Sequence, residues 1–309
     1  MPIKLNPNHK LTPDVSIIIV NYKSMNLIYD CISSIQKHSN NQSYEIIVVS
    51  NSIWNTDDLK VMDKYPDVRW FNPKNNAGFA AANNIGAEQA NGKYLFFLNP
   101  DTLFHNDVIG TLLEASEQYP DAGIIGPYTL NSDLTHQPSV KNEFGLDHML
   151  ILAFPFLKIL FSNKTFGHIP VKSTRYVEVV NGSALFMPHK LFDEIGGMNE
   201  SYFMYWEEND LCKSVISMGK KILFYDNTKI IHLGGQTTGD VFIPMEIEKH
   251  RSQKQYLKKF APQYVSLNRI LGSIAYLWRF IGAIILLNKR KISQFGTLFY
   301  WYTFKYDQH

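Results

Sequence analysis

The groups best able to do chemistry in this chain lie in three places. Asn99-Pro100-Asp101 closes the apolar run Tyr94 to Leu98, Tyr205 to Asp210 holds three carboxylates within four residues, and His232 precedes Leu233-Gly234-Gly235. Asn99 and Asp101 present oxygens one residue apart, a hard donor set that suits a divalent cation carrying a diphosphate. Glu207, Glu208 and Asp210 suit proton transfer, because neighbouring negative charges raise one another's pKa. Each group also has a plainer use. Asn-Pro-Asp is a common turn, acids at a helix start complement its dipole, and a lone histidine often serves only as a hydrogen-bonding side chain.

Positioning such groups takes strand ends and helix starts. Val15 to Val20 (VSIIIV) predicts a buried strand ending at Asn21-Tyr22-Lys23, and Leu27, Cys31, Ile32 and Ile35 recur at helical spacing between Asn26 and His38. Glu45 to Val49 predicts a second strand ending at Ser50-Asn51-Ser52, followed by a helix around Thr56 to Lys64 and a third strand at Val68 to Phe71. Tyr94 to Leu98 is five consecutive apolar residues, as a strand buried on both faces requires. This alternation predicts an α/β fold with a doubly wound, mostly parallel sheet. Ligands of such sheets bind at the carboxyl ends of the strands, where Asn21, Tyr22, Ser50, Asn51, Asn99 and Asp101 fall.

In the stretch from Asn72 to Thr102, Gly78 and the small run Ala80 to Ala82 around Phe79 permit close approach to a ligand, with Asn76, Asn83 and Asn84 as amide contacts. The stretch has neither a P-loop lysine nor the spacing of a dinucleotide fingerprint, which sets aside ATPase and dehydrogenase. Gly145 to Phe161 is apolar but broken by Pro155, so it reads either as a helical pair over the sheet or as an apolar wall for an acceptor's lipid. Tyr176 to Val180 and Ala184 to Met187 predict strands joined by a turn at Asn181-Gly182, and Ile222 to Tyr225 and Lys229 to His232 predict two late strands.

With 309 residues, 45% hydrophobic and 19% charged, the chain can bury a full core. Cys31 and Cys212 match no metal or redox spacing and read as reduced. The net charge of +2 conceals an asymmetry: Lys249 to Tyr306 carries 11 Lys and Arg and no acid, whereas residues 1–248 carry 27 acids. The polar start, Met1 to Asp14, reads as no signal peptide, so the expected location is the cytoplasmic side. In the tail, Pro244 to Phe260 predicts a basic amphipathic helix and Val265 to Leu287 a second helix. Arg269, Ser273, Tyr276 and Arg279 form a narrow polar stripe on that second helix, and Arg279 in mid-run argues for lying in the headgroup plane rather than spanning. Lys289-Arg290-Lys291 and the aromatic cluster Phe295 to Phe304 complete the expectation of a monotopic anchor on an anionic membrane surface, with no nucleic-acid partner. The alternatives are a helical cap on the sheet or a homo-oligomer interface.

Taken in order, IVNYK, NNAGFAAANNIG, LFFLNPDT and VNGSALFMPHKLFDEIGGMNESYFMYWEENDLC resemble the family-two inverting glycosyltransferases of the GT-A fold, and within them the bacterial rhamnosyltransferase branch. The similarity runs from about Val15 to Gly235. It implies a nucleotide-sugar-binding half over residues 14–130, an acceptor-binding and catalytic half over 131–240, and a helical membrane-associating region over 241–309. It also implies metal-dependent transfer of a sugar, rhamnose from dTDP-rhamnose, to a lipid-linked saccharide of a surface polysaccharide.

On this resemblance, Asp101 with His232 would hold Mg²⁺ or Mn²⁺. Asn21, Tyr22, Ser50, Asn51, Asn76, Gly78, Phe79, Asn84, Asn99 and Asp101 would meet the donor, and Glu208, with Glu207 and Asp210 beside it, would be the base. The chain departs from the family's usual pattern at Glu208, where an aspartate is usual, and at Asn99, the first acid of the usual D-x-D. It departs again at Ser50, where an aspartate usually contacts the nucleotide base. Ser50 supports a rival reading, a catalytically degenerate membrane-bound scaffold subunit of a polysaccharide assembly complex.

Overall fold

The most apolar runs of the first hundred residues become the centre of the sheet. β1 (Val15–Asn21), β2 (Tyr44–Ser50), β3 (Arg69–Phe71) and β4 (Tyr94–Leu98) lie parallel in the order β3-β2-β1-β4. Ile17, Ile19, Phe96 and Leu98 pack into one core layer, while Ile18, Leu95 and Phe97 pack into the opposite one. Period-two alternation between two dry faces is why these strands carry no polar side. The computed structural model describes residues 12–39, 41–159, 168–234 and 242–308.

The remaining strands are β5 (Thr102–Phe104), β6 (Ala122–Leu130), β7 (Val140–Lys141), β8 (His168–Ile169), β9 (Arg175–Val177), β10 (Val179–Val180), β11 (Ala184–Pro188) and β12 (Lys221–His232). The main sheet continues past β4 as β11-β6-β12-β5, with β11 antiparallel to both neighbours, β6 parallel to β12, and β9 also on β12. A second small sheet has the order β10-β7-β8.

Two sequence expectations are corrected here. Tyr176 to Val180 is not one strand, and Asn181-Gly182 is not a hairpin turn. The Glu178 carboxylate accepts the Glu143 amide, and the chain changes sheets there: β9 pairs with β12, while β10 pairs with β7. The Asn181 amide then donates to Ser139 O, and Ser183 O accepts the Asn99 amide, so this segment bridges the two sheets. The two late strands are one strand, β12, interrupted between Tyr225 and Lys229 by a bulge. That bulge is held by the Asp226 amide donating to Thr174 and by the Thr228–Thr111 hydroxyl pair.

Ten α-helices flank the strands among the described residues: α1 (Met25–His38), α2 (Thr56–Lys64), α3 (Phe79–Glu88), α4 (Val108–Gln118), α5 (Leu146–Ala153), α6 (His189–Ile195), α7 (Glu207–Ser217), α8 (Phe242–Phe260), α9 (Val265–Ile285) and α10 (Lys289–Tyr300). The apolar stretch expected from Gly145 to Phe161 is α5 followed by a short 3₁₀ turn at Pro155–Ile159; residues 160 and 161 lie outside the described residues, as does Gly235.

The tail folds back onto the body. Tyr256 of α8 packs against Trp206 and Ser252 donates to Met204 O, while α9 lies against α5 and α10 against α9. The polar stripe of α9 faces α8 and the last turns of the chain: Arg269 donates to Thr303 O, the Ser273 hydroxyl accepts from Thr303, Tyr276 bonds His250, and the Arg279 guanidinium covers the Tyr276 ring. Arg269, Ser273 and Tyr276 thus find partners in α8 and in the last turns of the chain, while Arg279 lies on a ring of its own helix. Gly272 lets the elements meet, since a Cβ there would come within 2.1 Å of the Tyr302 ring.

Candidate active site

The end of β4 and the end of β12 meet through β5. Leu233 N donates to Asp101 O, Gly234 N donates to the Asp101 carboxylate, and His232 Nε2 lies 3.4 Å from Asp101 Oδ1. The expected pairing of Asp101 with His232, far apart in sequence, is therefore realised in space. Burial pushes the Asp101 carboxyl up, but the His232 contact and the backbone amides outweigh it and leave the group below its ordinary value.

Gln137, which the sequence did not single out, fixes the ring. Its Nε2 donates to Asn131 Oδ1 and to His232 O, so its Oε1, 2.7 Å from His232 Nδ1, accepts a hydrogen bond from that nitrogen. With the proton on Nδ1, the Nε2 lone pair of neutral His232 faces a carboxylate oxygen. Two acceptors so placed need a positive charge between them, either a second ring proton or a cation. One carboxylate, one imidazole and the oxygens of a diphosphate are a fitting set for Mg²⁺ or Mn²⁺, which usually take only one or two protein carboxylates beside phosphate. Among the described residues no three His, Cys, Asp or Glu side chains cluster to form a closed metal cage.

The second cluster opens α7. Tyr205 and Trp206, immediately before it, both have left-handed backbone, φ 69° and 73°. That region is unfavourable for bulky side chains and costs about 1–3 kcal/mol at each residue. The bend brings Glu207 and Glu208 to the first turn, where both are buried. Glu208 Oε1 accepts a 2.7 Å bond from Lys141 Nζ. Glu207 Oε2 has no hydrogen-bond partner among the described residues. Burial, and then the charge of Glu208, push the Glu207 carboxyl well above its ordinary value.

Asp210, expected to join these two in catalysis, is a structural tie instead. Two residues along a helix is a rotation of about 200°, which turns it off the face of Glu208. Its buried carboxylate accepts bonds from the Tyr202 hydroxyl, Asn199 Nδ2, the Ser214 hydroxyl and Lys259 Nζ, the last at 2.7 and 2.9 Å. Lys259 comes from α8, so this charge fastens the tail to α7.

The two clusters are linked through shared segments. Asn99 N donates to Ser183 O, and the neighbouring Gly182 lies against the Glu208 side chain, where a Cβ would sit 3.4 Å from Glu208 Cβ. The run Gln137-Pro138-Ser139-Val140-Lys141 joins both ends, with Gln137 on His232 and Lys141 on Glu208. Neither Gln137 nor Lys141 carries a motif signal.

The donor-side residues divide into cleft and frame. A cleft of about 840 Å³ beside the ends of β1 and β2 is lined by Tyr22, Asn51, Ser52 and Asn76, together with Lys23, Asp57, Asp58 and Lys74. The Tyr22 ring is half exposed and available to stack on a planar base. Asn51 Nδ2 donates to Gly78 O, and Asn76 Oδ1 accepts the Gly78 amide. Gly78 needs its φ of +88°, and a Cβ there would come within 2.6 Å of Phe203 O. Phe79 N donates to that same carbonyl.

Asn21, Ser50 and Asn84 are frame. Asn21 Oδ1 receives the Ser24 amide at the start of α1, and its Nδ2 donates to Ser50 Oγ. Ser50 is fully buried, donates to Ser52 O, and does not line the cleft. Asn84 bonds both the amide and the carbonyl of Met198, locking α3 to the segment before α7.

Comparison with known proteins fits this geometry. Residues 16–179, just over half of the chain, match the family described as Glycosyl transferase family 2. The chain is 28% identical over 206 residues to the low-salt glycan biosynthesis hexosyltransferase Agl10 of Haloferax volcanii, covering 64% of this chain and 60% of that one. It is 26% identical over 192 residues to the N-acetylglucosaminyl-diphospho-decaprenol L-rhamnosyltransferase of Mycobacterium tuberculosis, covering 58% and 62%. The matches thus span about three fifths of these curated relatives. In structure it is similar to GalNAc-T7 crystallised with UDP, GalNAc and Mn²⁺, with a TM-score of 0.60 at 14% identity, over 97% of this chain and 58% of that one. That likeness shows the fold, which is of GT-A type.

Proposed function

The chain belongs to glycosyl transferase family 2, and we propose that it is a metal-dependent inverting glycosyltransferase that moves a sugar from a nucleoside-diphosphate donor to a saccharide hydroxyl. The observation that carries this reading is the run Gln137 to Lys141, which couples the Asp101–His232 pair to the Glu207–Glu208 pair in one site. The nucleoside sits in the cleft beside Tyr22 and Asn51. Asp101 and His232 Nε2 would hold Mg²⁺ or Mn²⁺, which when bound neutralises charge on the leaving diphosphate.

The carboxylate pair divides its labour. Lys141 offers one part-buried cation, and it sits on Glu208, favouring the charged form there. Glu207, pushed up by burial and by that neighbouring charge, keeps its proton near neutrality and cannot accept another. Glu208 is then the base that takes the proton from the acceptor hydroxyl as its oxygen attacks the anomeric carbon opposite the leaving group. A single in-line displacement inverts the configuration.

The relative that transfers L-rhamnose to a diphospho-decaprenol acceptor, together with the sequence motifs, supports dTDP-rhamnose as donor and a lipid-linked saccharide of a bacterial surface polysaccharide as acceptor. The test is a donor screen: turnover and binding of a panel of nucleotide sugars with and without Mn²⁺, for the native chain and Asp101→Asn. Metal-dependent binding of one nucleotide sugar that D101N loses is the expected result. Metal-independent binding that D101N leaves unchanged refutes the assignment.

A further inference from the structure

We propose that the outer face of α9, with the start of α10, is a docking surface for an anionic lipid membrane. Because the polar stripe of α9 faces α8 and the last turns of the chain, the helix turns its aliphatic side outward. Ile270, Leu277, Trp278, Ile281 and Ile285 recur at three-, four- and seven-residue spacing, which is one face of a helix. All are exposed, Trp278 to 59% and Ile285 to 74%, and Leu286 and Leu287 beyond the helix end reach 77% and 83%. A contiguous aliphatic face of this kind marks an interaction site. The one charged residue between Ile270 and Leu287 is Arg279, and it lies against the Tyr276 ring.

Charge selects the partner. Asn288 caps α10, and Lys289, Arg290 and Lys291 follow, all exposed, at the end of the aliphatic face. No acid lies between Lys249 and Tyr306 to neutralise them. A second copy meeting this face about a two-fold axis would bring both basic clusters into one interface. Anionic headgroups neutralise the cluster while the acyl region takes the aliphatic side chains, the division of labour of an in-plane amphipathic helix. Among the described residues no helix is long and apolar enough to cross a membrane, so the contact is lateral. Through α8 and the Lys259–Asp210 bond, the docked unit is continuous with the catalytic helix.

The test is flotation of the full chain with vesicles of phosphatidylcholine alone or mixed with phosphatidylglycerol. The native chain is expected to float with the anionic vesicles and to keep part of that binding in high salt. Replacing Lys289, Arg290 and Lys291 by Gln weakens it on the order of a hundredfold, at about fivefold per cation. W278E/I285E, which alters two exposed side chains, loses binding while melting as the native chain does. Absence of native flotation on anionic vesicles, or equal flotation of W278E/I285E, overturns the proposal. So does a lipid-free dimer that the same variant splits, which would make the occupant a second copy. Flotation needs neither donor nor acceptor, so its result is separate from that of the transfer assay.

Discussion

Replacing Lys141 by Met tests whether one cation decides which carboxylate is the base. Lys141 Nζ lies 2.7 Å from Glu208 Oε1, with the side chains only 24% and 10% exposed, so solvent screens the pair weakly. At a charge separation near 4 Å and an effective dielectric of about 20, the attraction is about 4 kcal/mol. Desolvating the two groups takes back more than half of it, and the remaining 1 to 2 kcal/mol, roughly, corresponds to about a decade in protonation. The Lys141 charge also lowers the neighbouring Glu207, so its loss moves the titration of the whole pair upward. The base must be unprotonated to act. K141M should therefore lose up to ~10-fold in kcat/KM on the acidic side of the profile and regain it as pH rises, with the acidic limb displaced upward by about one pH unit. K141R should keep the native profile. The assay is kcat/KM against pH at saturating acceptor. A uniform loss at every pH would make Lys141 merely a packing residue, and an unmoved profile with native rate would remove it from the site.

Three further outcomes follow from the same geometry. Glu208→Gln should lower turnover by ~10²-fold or more with donor binding preserved, the scale of a lost general base; if Glu207→Gln is the dead variant instead, the roles are reversed. Glu207→Gln should also melt higher than the native chain at pH 8, with the gain gone near pH 4.5. The reason is that the Glu207 carboxyl is raised from 4.5 to about 8 in the folded chain, so the native state binds more protons across that window and its stability falls as pH rises through it. His250 predicts the opposite trend for the tail. It is buried neutral between the Tyr276 and Tyr302 hydroxyls at 2.7 Å each, with Lys249, Arg279 and Glu246 as the nearby charges. Burial, then Lys249, drive its pKa from 6.5 down to about 3, so stability is full above pH 6.5 and is lost as pH falls toward 3. Proteolysis of the tail should accelerate across that window, and a rate flat from pH 7 to 4 would refute it.

What the sequence could and could not disclose follows from how local each signal is. Tyr94 to Leu98 was legible because burial on both faces imposes an unbroken apolar run, and that strand carries Asp101 to the sheet edge wherever its neighbours lie. The pairing of Asp101 with His232 was legible only through family resemblance, since 131 residues separate them. Gln137 and Lys141 were illegible for a physical reason. Lys141 sits on a two-residue strand and Gln137 four residues before it, next to Pro138, a stretch too short for any periodicity, and Asn181 N ties the segment in through Ser139 O. Asp210 looked catalytic because its real partners, Tyr202 and Lys259, are unremarkable residues on other elements.

The tail shows the sharpest limit. The periodicity of α9 gives two faces but not which one is buried, and an amphipathic helix ordinarily buries its apolar side. Here the polar side is bound by Thr303 O, the Thr303 hydroxyl and His250, groups that exist as partners only once the last turns of the chain have folded back. A buried polar group must be satisfied, whereas an exposed aliphatic one costs less if a lipid surface covers it. The direction α9 faces was therefore set by distant hydrogen-bond partners, information that no window of the sequence around Val265 to Leu287 contains.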